Sequence, residues 1–206
     1  MSHNPTENGL DRRTQILDAA VVCFAKHGFH QASMHDISAE AGVSVGLIYR
    51  YFENKEDVIS AMADRHKKQI HEILERARQA PSLRESLETL FTAHCGETEP
   101  QVTAAFVVDL FAEANRNSRV AELVRDVCET AMEGVTDLIA RSPEAKASDL
   151  SPREMAELFF AVNDGMLMRE VLKLGQTSGE RRERQLKVVR NLWRLLFKTE
   201  GEPAYA

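Results

Sequence analysis

Apolar residues recur at intervals of three and four along almost the whole chain, and runs in which β-branched and polar residues alternate are nearly absent. An interval of three to four brings a side chain back to the same side of an α-helix, whereas a strand needs an interval of two, so the pattern dictates an all-α protein. Ile16, Leu17, Ala20, Val21 and Phe24 make one such stripe, with Cys23 beside them as a small core filler. Following the stripes and their breaks gives about nine helices. The first opens at Asp11 and ends at His27 before Gly28, and two short ones lie between Ser33 and Phe52. The rest cover Lys55 to Gln79, Leu83 to His94, Gln101 to Asn115, Ser118 to Arg141, Ser151 to Leu174 and Glu180 to Lys198. Pro81 and Ser82 mark a hinge, Gly96 to Pro100 a break, Ser142 to Asp149 a linker and Gly175 to Gly179 a loop. Residues 1–10 and 200–206 are polar tails expected to be disordered.

The stretch from Ser33 to Lys55 carries the most information. Ser33 with Asp36 three residues on is a capping-box start, with a hydroxyl to accept an orphan backbone N–H and a carboxylate at the positive end of the helix. Ile37 and Ala41 lie one turn apart on one face, Gly42 supplies a left-handed stop, and Val43 plugs the core beneath the turn. Ser44 caps the next helix, expected from Val45 to Phe52, with Ile48 and Phe52 inward. Val45, Gly46, Leu47, Tyr49, Arg50 and Tyr51 are left for the remaining surface. Two short helices with a tight turn, the second bearing small residues and then tyrosines, form a helix-turn-helix suited to a DNA groove.

Composition narrows the alternatives. A formal net charge of −6 argues against indiscriminate polyanion binding, leaving a specific binder with a local positive face. Cys23, Cys95 and Cys128 are widely spaced, include no Cys-x-x-Cys pair, and suit a reducing compartment. No segment reaches the roughly 20 uninterrupted apolar residues of a membrane helix, and the amino terminus lacks the apolar core of a secretory signal, so a cytoplasmic protein without membrane association is expected. Neither a phosphate-binding glycine loop nor a nucleophile elbow is present, and the seven histidines make no metal-ligand spacing, so no enzyme, metal or cofactor is expected.

Two runs, RRTQILDAAVVCFAKHGFHQAS from Arg12 to Ser33 and DISAEAGVSVGLIYRYFENKEDV from Asp36 to Val58, strongly resemble the amino-terminal domain of the TetR family of bacterial one-component transcriptional regulators. The resemblance implies a helix-turn-helix DNA-binding domain over residues 11–56 and a helical ligand-binding and dimerisation domain over 57–199. It assigns Val45, Gly46 and Leu47 to base edges, and Tyr49, Tyr51 and Lys55 to phosphates, with Ser44 and Arg50 on the same surface. Arg12 and Arg13 are placed near the DNA backbone or minor groove, and Ser33 and His35 within reach of the phosphate on the other strand. Apolar Val45 and Leu47 stand where relatives often carry polar or basic residues, and would meet thymine methyls rather than guanine edges.

Beyond Pro81 the resemblance is one of architecture. It implies a small-molecule effector in a cavity among the fourth to eighth helices, and the candidate lining is Met62, His66, Phe91, Phe106, Asp109, Leu110, Met132, Phe160, Asn163 and Met166. Asp109 and Asp164 interrupt apolar runs, which calls for a salt bridge, a cap or a polar ligand at each. The last two helices are apolar over more than one face, which points to a four-helix homodimer interface carried by Leu167, Val171, Val189, Trp193 and Leu196, with Trp193 as its anchor. Such a dimer would grip a palindromic double-stranded operator as a repressor released by a largely apolar effector. Two other readings of the chain are a thiol-based redox sensor acting through Cys95 or Cys128, and a helical architectural module that binds without sequence preference.

Overall fold

The computed structural model describes residues 5–94, 100–172 and 178–196. Among them are nine α-helices, one short 3-10 turn and no strand: α1 Pro5–His27, α2 Met34–Glu40, α3 Val45–Ile48, α4 Lys55–Arg78, α5 Leu83–His94, α6 Pro100–Ala114, α7 Ser118–Ala140, α8 Pro152–Val171 and α9 Ser178–Leu196. The helix α1 starts at Pro5 rather than Asp11, taking in part of the expected tail; a proline at the first helical position gives up an N–H that has no partner there in any case. The expected linker 142–149 contains a 3-10 turn at Glu144–Ala147, because Ala145 is buried and the Glu144 carboxylate accepts from the first amide of α5, Leu83 N, at 3.3 Å. Of the expected break Gly96–Pro100 and loop Gly175–Gly179, residues 96–99 and 175–177 lie outside the described residues, as does the tail at 200–206, while Pro100 opens α6 and Ser178 and Gly179 open α9.

The chain forms two compact units, and they are not consecutive in sequence. The first draws on Met1–His66 and Glu99–Val127, the second on Lys67–Thr98 and Cys128–Ala206, so α4 and α7 each give one part to each unit. The unit that holds the helix-turn-helix is therefore larger than residues 11–56: it takes in α6 and the first half of α7. Its core sets Ile16, Leu17, Ala20 and Phe24 of α1 against Ile37, Ile48, Phe52, Val58 and Ile59, with Phe106 and Leu110 of α6 and Val120 of α7 packed on them. Phe24 stacks on Phe106, with ring centroids 6.2 Å apart.

In the second unit Leu74, Leu87, Phe91, Val135, Ile139, Met155, Phe159, Val189 and Trp193 make one buried cluster drawn from α4, α5, α7, α8 and α9. Gly134 on α7 permits a close approach here, since a Cβ at that position would fall 2.2 Å from Leu74 Cδ1. Helix ends follow the sequence signals. Ser151 with Glu154 closes a capping box, Ser151 N donating to the Glu154 carboxylate and Glu154 N to the Ser151 hydroxyl, while at α5 Glu85 N donates to the Ser82 hydroxyl, which donates to the Glu85 carboxylate.

Candidate nucleic-acid interface

The helix-turn-helix is set by short-range bonds that its residue types dictate. The Ser33 hydroxyl accepts from Asp36 N at 3.2 Å, and the Asp36 carboxylate accepts from Ser33 N at 2.8 Å, which closes the capping box at the start of α2. Hydrogen bonds from the Ser33 hydroxyl and amide hold the Asp36 carboxyl below the usual carboxylate range. At the other end Gly42 adopts φ +64, its N–H donates to Ala39 O at 3.1 Å, and Val43 N donates to Ser38 O at 3.0 Å. Ser44 then caps α3, its hydroxyl accepting from Leu47 N at 3.2 Å.

The regular part of the second helix is shorter than expected. It spans Val45–Ile48, after which Arg50 N and Tyr51 N donate to Leu47 O and Ile48 O in the tighter three-residue pattern, and Phe52 N still reaches Ile48 O at 3.0 Å. Ile48 and Phe52 remain anchored in the core, so the winding tightens without losing its inward face. Ser44, Gly46, Tyr49 and Arg50 are exposed, Tyr49 by 54%, while Val45 and Leu47 are half-buried. A Cβ on Gly46 would meet no atom within 4 Å. Ser33 and His35 are exposed at the start of α2. Arg12 and Arg13 are exposed on α1, Arg12 donating to Gln15 Oε1 at 2.7 Å and Arg13 lying 5.2 Å over the Phe52 ring.

Two residues assigned to phosphates have other employment. Tyr51 is half-buried against the core of this unit. The Lys55 ammonium donates to Phe29 O at 2.6 Å and to His30 O at 3.1 Å, and sits 4.7 Å over the Phe29 ring, so it braces the turn between α1 and α2 instead of standing free for DNA. Sequence reasoning also misses Gln15. Its Nε2 donates at 2.8 Å to the carbonyl of Ala41, the residue that ends α2, across 26 positions of chain.

Residues 16–62, which contain α2, α3 and the turns around them, match the family model for bacterial regulatory proteins of the tetR family. These residues are the amino-terminal domain of a TetR-type regulator. It is 37% identical over 81 residues to the fatty acid metabolism regulator protein of Bacillus subtilis, a match covering 39% of this chain and 42% of that one. The nicotine-responsive transcriptional repressor HdnoR of Paenarthrobacter nicotinovorans is 24% identical over 76% of this chain and 81% of its own. Among solved structures, GusR of Salmonella enterica superposes with a TM-score of 0.71 at 25% identity, covering 92% of this chain and 97% of that one. The curated relatives and the solved structures it resembles are TetR-type transcriptional regulators, and the chain is a regulator of that type. No described helix is long and apolar enough to cross a membrane.

The candidate lining residues divide between the two units. In the first, Met62 is core, His66 is exposed, and Phe106 and Leu110 pack on the core around Phe24. Asp109 in the same unit has a partner within the chain: its Oδ2 accepts from Phe29 N at 2.5 Å, a backbone bond that accounts for a carboxylate inside an apolar run. In the second unit Phe91 is core, and Met132, Phe160 and Met166 are half-buried. Asn163 is 3% exposed; its Nδ2 donates to Phe159 O at 2.6 Å, and its Oδ1 is buried with no partner among the described residues. Asp164 is on the outer side of α8, where burial of its surroundings raises its carboxyl.

The expected dimer anchors need correction. Trp193 is 1% exposed and Val189 0% within a single chain, and the Trp193 ring stacks on Phe159 at 5.8 Å, so both belong to the chain's own core. Leu167 and Val171 are half-buried, and the Leu196 side chain lies outside the described residues. The large exposed apolar side chains here are instead Leu158 and Met168 of α8, Leu172 just past its end, and Val188 on α9.

Cys23 is buried and Cys128 exposed, while Cys95 lies outside the described residues. Burial of its surroundings, reinforced by the Asp164 and Glu129 carboxylates, raises the Cys128 thiol above its ordinary value. A raised thiol carries less thiolate at neutral pH, the reverse of what a redox sensor needs. Iodoacetamide should therefore label Cys128 at pH 7 several-fold more slowly than it labels a free cysteine, with the rate still climbing above pH 9. Labelling at or above the free-cysteine rate would restore the thiol-sensor reading.

Proposed function

We propose that two copies of this chain bind a palindromic DNA operator in the bacterial cytoplasm through the exposed surface of α3 and the start of α2, and that the complex represses transcription. The observation that carries the reading is the surface left open by a capped and anchored α3: Ser44, Gly46, Tyr49 and Arg50 are exposed, and among the described residues no atom lies within 4 Å of a Cβ built on Gly46. An α-helix about 10–12 Å across with its side chains fits a major groove about 12 Å wide, and a glycine on its leading face lets the backbone come close to the base edges. Val45 and Leu47 flank it and suit thymine methyls.

Duplexes selected by the protein from a randomised pool, followed by footprinting, test this directly. Two inverted half-sites about one helical turn or a multiple of it apart are expected. Enrichment of no sequence would leave only the architectural-module reading.

The second copy is proposed to dock on α8. Leu158, Ala161, Gly165 and Met168 of α8 and Leu172 just past its end are all exposed and alternate three-four-three-four, the spacing of a helix-pairing seam, with two small residues that let a partner approach. No atom stands within 4 Å of a Cβ placed on Gly165. Gly165→Glu should therefore leave the helical circular dichroism unchanged and shift the protein from dimer to monomer by sedimentation, with a loss of operator affinity of about tenfold or more, since one head makes half the contacts. A variant that stays dimeric would place the interface elsewhere.

The effector is proposed to be small and largely apolar with one hydrogen-bond donor, held in the second unit by Phe160, Met132 and Met166 and hydrogen-bonded to Asn163 Oδ1, a buried acceptor that calls for a donor. A nicotine-responsive relative is in keeping with effectors of that size. Ligand and operator would then oppose each other by one coupling free energy, typically ~1–3 kcal/mol. Mass spectrometry of what copurifies, followed by gel-shift titration, identifies the compound.

A further inference from the structure

Phe29 lies in the turn between α1 and α2 and is held at both ends of its backbone by opposite charges. Its N–H donates to the Asp109 carboxylate of α6 at 2.5 Å, and its carbonyl accepts from the Lys55 ammonium, the first residue of α4, at 2.6 Å. The same ammonium also holds His30 O and covers the Phe29 ring. Phe106, one turn before Asp109 on α6, stacks on Phe24, whose ring lies 5.3 Å from Phe29. Gly28 adopts φ +75, and a Cβ there would stand 3.4 Å from Asp109 Oδ1, so the turn leaves room for this carboxylate. Four residues after Phe29, Ser33 caps α2. The position of this turn therefore sets where α2 begins, and with it the placement of Ser33 and His35.

We propose that Asp109 is a positioning residue for operator binding: acting through Phe29, and jointly with Lys55, it fixes the start of α2 against α3. Asp109 lies outside residues 16–62, the part of the chain that matches the family's DNA-binding segment, so it enters the head from a helix that carries none of the reading surface. The inference rests on the DNA-binding reading above. Charge-assisted bonds from two helices to one residue constrain it more tightly than neutral bonds would, and losing either should release the same turn. Effects that pass through a shared residue do not add.

The experiment measures affinity for a duplex selected by the wild-type protein, with circular dichroism and sedimentation as controls on fold and assembly. Asp109→Ala should weaken binding about tenfold with helical content unchanged, and Asp109→Asn, which keeps an oxygen acceptor for Phe29 N–H, should bind within about threefold of wild type. Lys55→Met should weaken binding on its own, and Asp109→Ala combined with Lys55→Met should be no weaker than the worse of the two. Amide exchange at Phe29 should accelerate in Asp109→Ala while exchange at Gly28, which donates to Phe24 O, stays slow. Should Asp109→Ala unfold, Asp109→Glu carries the test: it keeps the charge, displaces it by one methylene, and is expected to bind more weakly than Asp109→Asn. The inference is overturned by Asp109→Ala binding within twofold of wild type, by Asp109→Asn binding as weakly as Asp109→Ala, by losses that multiply in the double variant, or by Asp109→Glu matching wild type. A wild-type protein that selects no duplex overturns it at the first step, through the reading it rests on.

Discussion

Gly46→Trp is expected to abolish operator binding while leaving the protein as stable as before. Gly46 is exposed and a Cβ built there meets no atom of the described residues within 4 Å, so an indole has room to project into solvent. Glycine inside a helix is the less favourable residue, and its replacement should if anything stabilise α3 by about 0.5 kcal/mol. On DNA the same indole would hold the backbone of α3 away from the base edges and lift Ser44, Tyr49 and Arg50 from their partners. A loss of about 3 kcal/mol, or roughly 100-fold in affinity, follows if only two or three such contacts fail. Gel shift on a selected duplex, set beside thermal unfolding, separates the two effects. Affinity within threefold of wild type would mean that DNA is read by another surface.

Trp193→Ala carries the largest expected effect on stability. The indole is 1% exposed, stacks on Phe159 and shares a cluster with Met155, Leu87 and Val189. Removing a buried aromatic of this size leaves a cavity and typically costs about 3–5 kcal/mol. For a chain of this length a loss of that size lowers Tm by on the order of 10 °C. Because the contacts lie within one chain, the lower Tm should persist on dilution. If Trp193 instead anchored the dimer, the variant would dissociate and its apparent stability would depend on protein concentration. Unfolding at two concentrations a hundredfold apart distinguishes a core position from an interface.

Much of the head was legible because its signals are short-range. Ser33 and Asp36 are three residues apart, Ser44 caps Leu47, and Gly28 and Gly42 take the positive φ values that only glycine adopts without strain. Each of these can be read within one helical turn of sequence. The tightening after Ile48 could not, because Phe52 and Ile48 keep their four-residue spacing whether or not the residues between them wind evenly. The buried stripes of α5 and α7 were legible for a different reason: a helix in water must hide its apolar face, and the spacing of that face survives any tertiary arrangement.

By itself, then, the sequence determined the helices, their caps, the helix-turn-helix and the TetR family, since all of these rest on residues within a few positions of one another. Only the tertiary structure decided what Lys55, Asp109, Gln15 and Trp193 do. Lys55 and Gln15 bond across 25 or more positions and Asp109 across 80, and the bonds go to backbone groups that every residue carries, so no side-chain pattern marks them in advance. Periodicity shows that Trp193 faces protein; whether that protein is its own chain or a second one depends on how α9 packs against α5 and α8, a matter of long-range geometry.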